Sequence, residues 1–204
     1  MASFDLNGNW VLDKARSTNL DAVLKLQGIG WITRKAIEAS KMTLKITQSS
    51  ETHSSTGEAA EWITFEAALT SGLKGAPEKR PLTWTEFEHN DTIFGLVYIR
   101  SHYISGERTS HGVRPLIELQ TKDVGSGILY GLTEAIAVDH ESETAQTIVE
   151  KAFIHDFVRS VHFGWTAEQI WAVEIVGEDK FLTRRAVVVK GTSIESACTF
   201  YKRE

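Results

Sequence analysis

The spacing of apolar residues changes near residue 40, from a helical period to a period of two. Before that point, Gly8-Asn9-Trp10-Val11-Leu12 alternates briefly like a strand, and a helical stretch follows. Asn19 stands where an N-cap belongs, Asp21 falls in the first turn, and Leu20, Val23 and Leu24 share one face. Gly28 and Gly30 break this run. Trp31 to Ala39 forms a second amphipathic segment, with Ile32, Ala36 and Ile37 expected on a common side. The pattern predicts two short helices in a tight pair.

From Lys41 onward strands dominate. Met42, Leu44 and Ile46 alternate with Thr43, Lys45 and Thr47, as in a half-buried strand. Residues 49–60 read as a polar loop, Trp62 to Glu66 as a strand, and Gly72 to Pro81 as turns. Strands at 83–88 and 92–103 flank His89-Asn90-Asp91, which reads as a hairpin loop. The stretch 104–127, rich in Gly, Pro and Asp, is expected to be an irregular excursion. Ile128 to Val138 and Lys151 to Phe163 read as strands; the periodicity leaves 141–150 open between a helical turn and a loop. The tail is clearer: Trp171 to Val176, Phe181 to Lys190 and Ile194 to Arg203, separated by glycine-led turns, predict a three-stranded meander. Strands recurring every 8–12 residues or so point to a sandwich or barrel. No linker or repeat interrupts the chain, so residues 1–204 are read as a single domain.

Composition narrows the function. A chain of 204 residues with 42% hydrophobic and 24% charged residues can bury a core without disulfide or metal staples. A net charge of −5 without a basic stripe argues against nucleic acid as a partner. Cys198 is the only cysteine, which excludes an intramolecular disulfide and fits a reducing, cytoplasmic setting. The first residues lack a secretion signal, and the apolar runs are too short for a membrane span. The histidines are scattered without metal-ligand spacing, and no nucleotide motif occurs, so neither metal nor cofactor is expected. Against three prolines stand six Trp, nine Phe and four Tyr, an aromatic load that needs a place.

The segment Gly8-Asn9-Trp10-Val11-Leu12, followed by Asn19-Leu20-Asp21, Leu24-Lys25, Gly28-Ile29-Gly30-Trp31 and Thr33-Arg34-Lys35, resembles the opening block of the intracellular lipid-binding proteins. These are the fatty-acid-binding branch of the calycin/lipocalin superfamily; the extra chain length makes this one similar to divergent, fungal lipocalin-like members. The closing Tyr201-Lys202-Arg203 resembles the family's end. The resemblance implies an all-β fold, an up-and-down antiparallel β-barrel of about ten strands, with an N-terminal helix-turn-helix lid and an internal cavity. It also implies a carboxylate-binding Arg two residues before the last Tyr. Tyr201 matches that tyrosine, but the arginine position is Thr199.

The expected function is binding of a hydrophobic small molecule of lipid, polyketide or terpenoid type, with oligomeric state left open. The alternative is a cofactor-independent isomerase, cyclase or dehydratase working in the same cavity, since holding a reactive conformer alone accelerates a cyclisation. Candidate ligand-contacting residues are Trp84, Phe94, Tyr98, Arg100, Phe153, Phe157, Thr199 and Tyr201. Candidate catalytic residues are His102, His155, Glu174 and Tyr201. Alternation groups Phe94, Leu96, Tyr98, Arg100 and His102 on one face, and Phe153, His155, Phe157 and Arg159 on another. Whether those faces line the cavity or form the outer wall stays open, because both faces mix apolar and polar residues. Neighbouring His155 and Asp156 point to opposite faces, so a carboxylate for His155 must come from another strand, with Glu86, Glu88 or Glu174 as the possibilities.

Overall fold

The computed structural model describes residues 5–52, 59–72, 74–122, 124–138 and 147–204. Of the polar loop expected at 49–60, residues 49–52 and 59–60 are instead paired strand, extending the two flanking strands, while 53–58, like most of 141–150, lie outside the described residues. Strand β1 (Gly8–Thr18) leads into helices α1 (Leu20–Leu26) and α2 (Trp31–Ala39). There follow β2 (Met42–Thr52), β3 (Ala59–Leu69), β4 (Glu78–Pro81), β5 (Phe87–Asp91), β6 (Gly95–Thr109) and β7 (Gly112–Pro115). Helix α3 (Ser126–Thr133) precedes β8 (Ile148–Ser160), β9 (Thr166–Val176), β10 (Asp179–Lys190) and β11 (Ser193–Arg203).

Ten of these strands form one antiparallel sheet in the order β4-β3-β2-β1-β11-β10-β9-β8-β6-β5, with β7 paired to β6 off the path. The sheet curls into a barrel whose end strands, β4 and β5, meet without a hydrogen-bonded ladder. The connection between them is tied to β6 instead, through the Trp84 amide and the Ser101 carbonyl (2.8 Å). One end is packed by Leu6, Trp10, Leu12, Ile46, Ile63 and Leu182, with the Trp10 indole donating to the Leu6 carbonyl at 2.8 Å. At the other end Leu24 of α1, Ile29 of the turn between the helices and Ile37 of α2 pack on Leu69.

Both helices form where the period predicted them, with two differences. Asn19 has a left-handed backbone (φ 57°) and does not cap α1; its amide donates to Glu195 and to the Ser196 carbonyl, tethering the helix start to the β10–β11 hairpin. In α2 Ile37 is buried while Ile32 is 78% exposed. Five positions are roughly 140° apart on a helix, so the two cannot share a face.

The segment expected as an irregular excursion holds more order. β6 continues to Thr109 and folds back as β7, and the Ile128–Val138 stretch is helix α3 followed by bridges at Ile136 and Val138 rather than a strand. A short apolar run carries no period that separates helix from strand. β7, Val124 and α3 with the bridge at Ile136 lie as a second layer on the outside of the barrel. Val113 and Ile136 cover Phe153, Ile170 and Ala172, while Val124 and Leu132 cover Val187. The hairpin expected around His89-Asn90-Asp91 is shifted: those residues belong to β5, and the turn follows at 92–94.

Candidate functional site

Inward-facing residues of the barrel enclose a cavity of about 200 Å³. Its wall is mainly apolar: Leu20, Val23 and Leu24 from α1, Leu44, Phe65, Phe94, Val97, Ile99, Val158 and Val188 from the sheet and its turns. Strict alternation selects these positions, since Ala167, Gln169 and Trp171 of β9 face in while Glu168 and Ile170 face out.

The polar part of the cavity is built around Asp156. Its Oδ2 accepts from Arg80 Nη2 (2.6 Å) and from the Trp171 indole (2.7 Å), and its Oδ1 accepts from the Ser101 hydroxyl (2.7 Å). Arg80 is also paired with Glu78 and lies over the Phe65 ring, 4.6 Å from its centroid. Burial lowers the Arg80 pKa, and the attraction of Asp156 works against that loss. Arg184 is different. Its guanidinium lies 5.3 Å from the Trp171 centroid and makes no hydrogen bond or ion pair with any described residue.

Of the residues expected at a ligand, Phe94 and Tyr201 line this cavity. Thr199 is buried and pairs with Arg184, its hydroxyl donating to the Arg184 carbonyl. Tyr98, Arg100 and His102 lie on the outer face of β6, because Val97 and Ile99 take the inward positions. Phe153, His155 and Phe157 lie outside for the same reason, with Asp156 and Val158 inside. The corresponding expectation, that these aromatics and Arg100 reach a ligand in the barrel, meets an intervening sheet. Trp84, in the β4–β5 connection, is also outside.

Two of the four expected catalytic residues do meet. His102 Nε2 lies 3.0 Å from His155 Nδ1, and His155 Nε2 lies 2.8 Å from Glu168 Oε1. The partner of His155 is therefore Glu168, not Glu86, Glu88 or Glu174. Glu174 pairs instead with Arg185 (3.0 Å), and Glu86 lies near Arg100 and Arg159. Glu168 was not legible as a candidate because the strand carrying it starts at Thr166, ahead of the Trp171 at which the alternation becomes clear. Trp84, with the unusual backbone φ of 60°, lies against both imidazoles, tilted over His102 at 4.2 Å and stacked on His155 at 4.6 Å. The outer layer closes the chain, since the Gln120 and Thr121 amides donate to Glu168. Burial alone would raise the Glu168 pKa; the hydrogen bonds from His155, Thr121 and Gln120 outweigh it and hold the carboxyl below its usual value. With both imidazoles neutral, His155 Nε2–H donates to Glu168 and His102 Nε2–H donates to His155, leaving His102 Nδ1 with a free lone pair. This chain lies on the opposite side of the sheet from Tyr201 and the cavity. Among the described residues no group of three His, Cys, Asp or Glu side chains is arranged to hold a metal ion, and no helix is long and apolar enough to cross a membrane.

Comparison with solved structures gives the architecture its parallels. The REP1-NXSQ fatty acid transporter superposes with a TM-score of 0.50 at 13% identity, covering 99% of this chain and 98% of the transporter. The chain shares the fold of a fatty acid transporter. The fluorescent protein UnaG superposes with a TM-score of 0.52 at 13% identity, covering 98% of this chain and 97% of UnaG. No family model matches the sequence, and no curated protein sequence does. At such identity the likeness concerns the fold, and function must be argued from the site.

Proposed function

We propose that the chain binds a hydrophobic small molecule, of lipid, polyketide or terpenoid type, inside the barrel, with α1 and α2 as the lid, and that it works as a cytoplasmic carrier. One observation carries this reading. The cavity is apolar along most of its wall, yet beside Trp171 it holds the Arg184 guanidinium, which no described residue neutralises. Arg184 is partly buried, and its Nε–H is buried without an acceptor; a ligand carboxylate or other anion is the natural complement of such a group. The fold shared with a fatty acid transporter supports the reading at the level of architecture.

The cavity volume of about 200 Å³ lies below the roughly 300–1,000 Å³ of ordinary small-molecule pockets. A ligand of common size must therefore push back side chains or the helical pair as it enters. Fluorescence titration with anilinonaphthalene sulfonate, an anionic apolar dye, tests the proposal. The expected result is saturable, single-site binding that a long-chain carboxylic acid displaces. Binding that never saturates, or dye that no apolar acid displaces, contradicts it.

A further inference from the structure

Folded proteins rarely leave a buried N–H without an acceptor, because such a donor gives up water and regains nothing. Among the described residues the buried side-chain nitrogens without a hydrogen-bond partner are Arg80 Nε, His89 Nε2, Trp165 Nε1 and Arg184 Nε. All four of these residues line the barrel cavity. They come from separate parts of the chain, namely β4, β5, the residue before β9, and β10. Arg80, His89 and Trp165 are each more than nine-tenths buried. His89 Nε2 lies 3.8 Å from Asp91 Oδ2, beyond hydrogen-bonding distance, and in its Nε2–H tautomer it is a free donor to the cavity.

These donors fall into two groups along the barrel. Arg184 pairs with Trp171 across the β9–β10 ladder, and Arg80 lies over Phe65, whose ring is 5.2 Å from that of Trp171. Both cations thus belong to the Trp171 end. Trp165 precedes Trp171 by six residues, roughly 20 Å at the rise of a strand, and packs with Val23, Phe94 and Val97 near the helices. His89 belongs to this second level, because it pairs with Val97, Val97 pairs with Ser160, and the Ser160 amide donates to the Trp165 carbonyl at 2.9 Å. One carboxylate cannot reach both levels.

We infer that the ligand is an elongated apolar anion with further acceptor oxygens along its length, its anionic group toward Arg184 and Arg80 and a carbonyl, ester or ether oxygen toward Trp165 and His89. The inference rests on the cavity-binding reading above and names the chemical class that reading leaves open. An unsubstituted alkanoate would satisfy the cationic level and leave the indole and imidazole donors unmet. An oxygenated chain satisfies both levels.

The sign of one comparison decides the matter. In a cavity without a waiting donor, adding a mid-chain carbonyl to a fatty acid weakens binding, because that oxygen loses its water. Here it should strengthen it. Isothermal titration of the full chain with octadecanoate and with 12-oxooctadecanoate should show the oxo acid binding about fivefold to tenfold tighter. Trp165→Phe keeps the ring and removes the N–H; whatever it does to the affinity of both acids, it should erase most of the oxo acid's advantage over octadecanoate. His89→Phe should act in the same direction. In the unaltered protein the Trp165 indole N–H resonance should shift downfield with the oxo acid and much less with octadecanoate, a reading that needs no variant to fold. Equal or weaker binding of the oxo acid overturns the inference and leaves the cavity reading standing. Failure of both acids to bind saturably overturns both.

Discussion

Arg184 and Thr199 stand opposite each other across the β10–β11 ladder, and the threonine hydroxyl donates to the arginine's own carbonyl at 3.4 Å. The resemblance to lipid-binding proteins leads one to expect an arginine at 199, two residues before Tyr201. The chain carries its unpaired cavity guanidinium at the facing position on the neighbouring strand instead. Arg184→Gln should weaken anilinonaphthalene sulfonate binding about tenfold, the loss of one hydrogen bond to a charged group. Binding of the neutral dye aminoanthracene should change by less than about twofold. The exchange Arg184→Thr with Thr199→Arg should recover part of the lost affinity. Equal loss for the charged and the neutral dye would show that the guanidinium acts through packing alone.

Arg80 and Asp156 form a buried pair at 2.6 Å, their side chains 5% and 1% exposed. Arg80→Met leaves Asp156 charged and buried, with only the Ser101 and Trp171 donors. Urea denaturation should report a loss of about 3–5 kcal/mol. The double variant Arg80→Met with Asp156→Leu should lose clearly less than the single one. If the two lose the same, the pair is not coupled as its geometry implies.

The outer chain predicts a direction for pH dependence. The Glu168 pKa is depressed below 4.5, since hydrogen bonding outweighs burial, so its contribution is present above that value and is lost as pH falls through the lower folded-state value. The His102 pKa is depressed below 6.5 by burial and by the nearby His155. The unfolded chain therefore takes up that proton first, and stability also declines as pH drops below about 6.5. Chemical denaturation should show stability falling on acidification from neutral pH to about pH 3, in the order of these two windows. Glu168→Gln should flatten the lower part of the profile. A profile with no decline across this range would sink the assignment.

Gly112 fixes how the outer layer docks. Its φ is +130°, and an added Cβ would lie 2.4 Å from the Ile136 carbonyl oxygen. Backbone, unlike a side-chain tip, cannot swing aside. Gly112→Ala should cost about 2 kcal/mol or more and raise hydrogen exchange in 124–138 before that of β10 and β11. Exchange rising uniformly over the chain would indicate that the layer and the barrel unfold as one unit.

The β11 alternation shows what could be read in advance. Thr199 and Tyr201, both expected at a ligand, take inward positions on β11, since a meander with clear turns at 177 and 191 fixes its own register. The two N-terminal helices and the opposite directions of His155 and Asp156 were legible for the same local reasons. The sidedness of β6 and β8 was not. Phe153 of β8 and Ile170 of β9 are apolar on the outer wall because Val113 and Ile136 cover them, so there the strands are buried on both faces and alternation loses its meaning, while β6 carries Tyr98 and Arg100 on a partly exposed outer face. Arg184 carried no local signal at all; its position opposite Thr199 appears only once β10 and β11 are paired.

The central claim is that the barrel interior is the binding site and that Arg184 receives the anionic end of the ligand. Two-dimensional NMR of the full chain during titration with anilinonaphthalene sulfonate tests it most directly. The indole N–H signals of Trp165 and Trp171 and the Arg184 Nε–H, all from cavity-lining residues, should move together along one saturable curve. Trp62, stacked under Lys79 on the outer wall, should stay in place. Movement of Trp62 and Trp84 while Trp165, Trp171 and Arg184 remain still would place the binding outside the barrel and contradict the account.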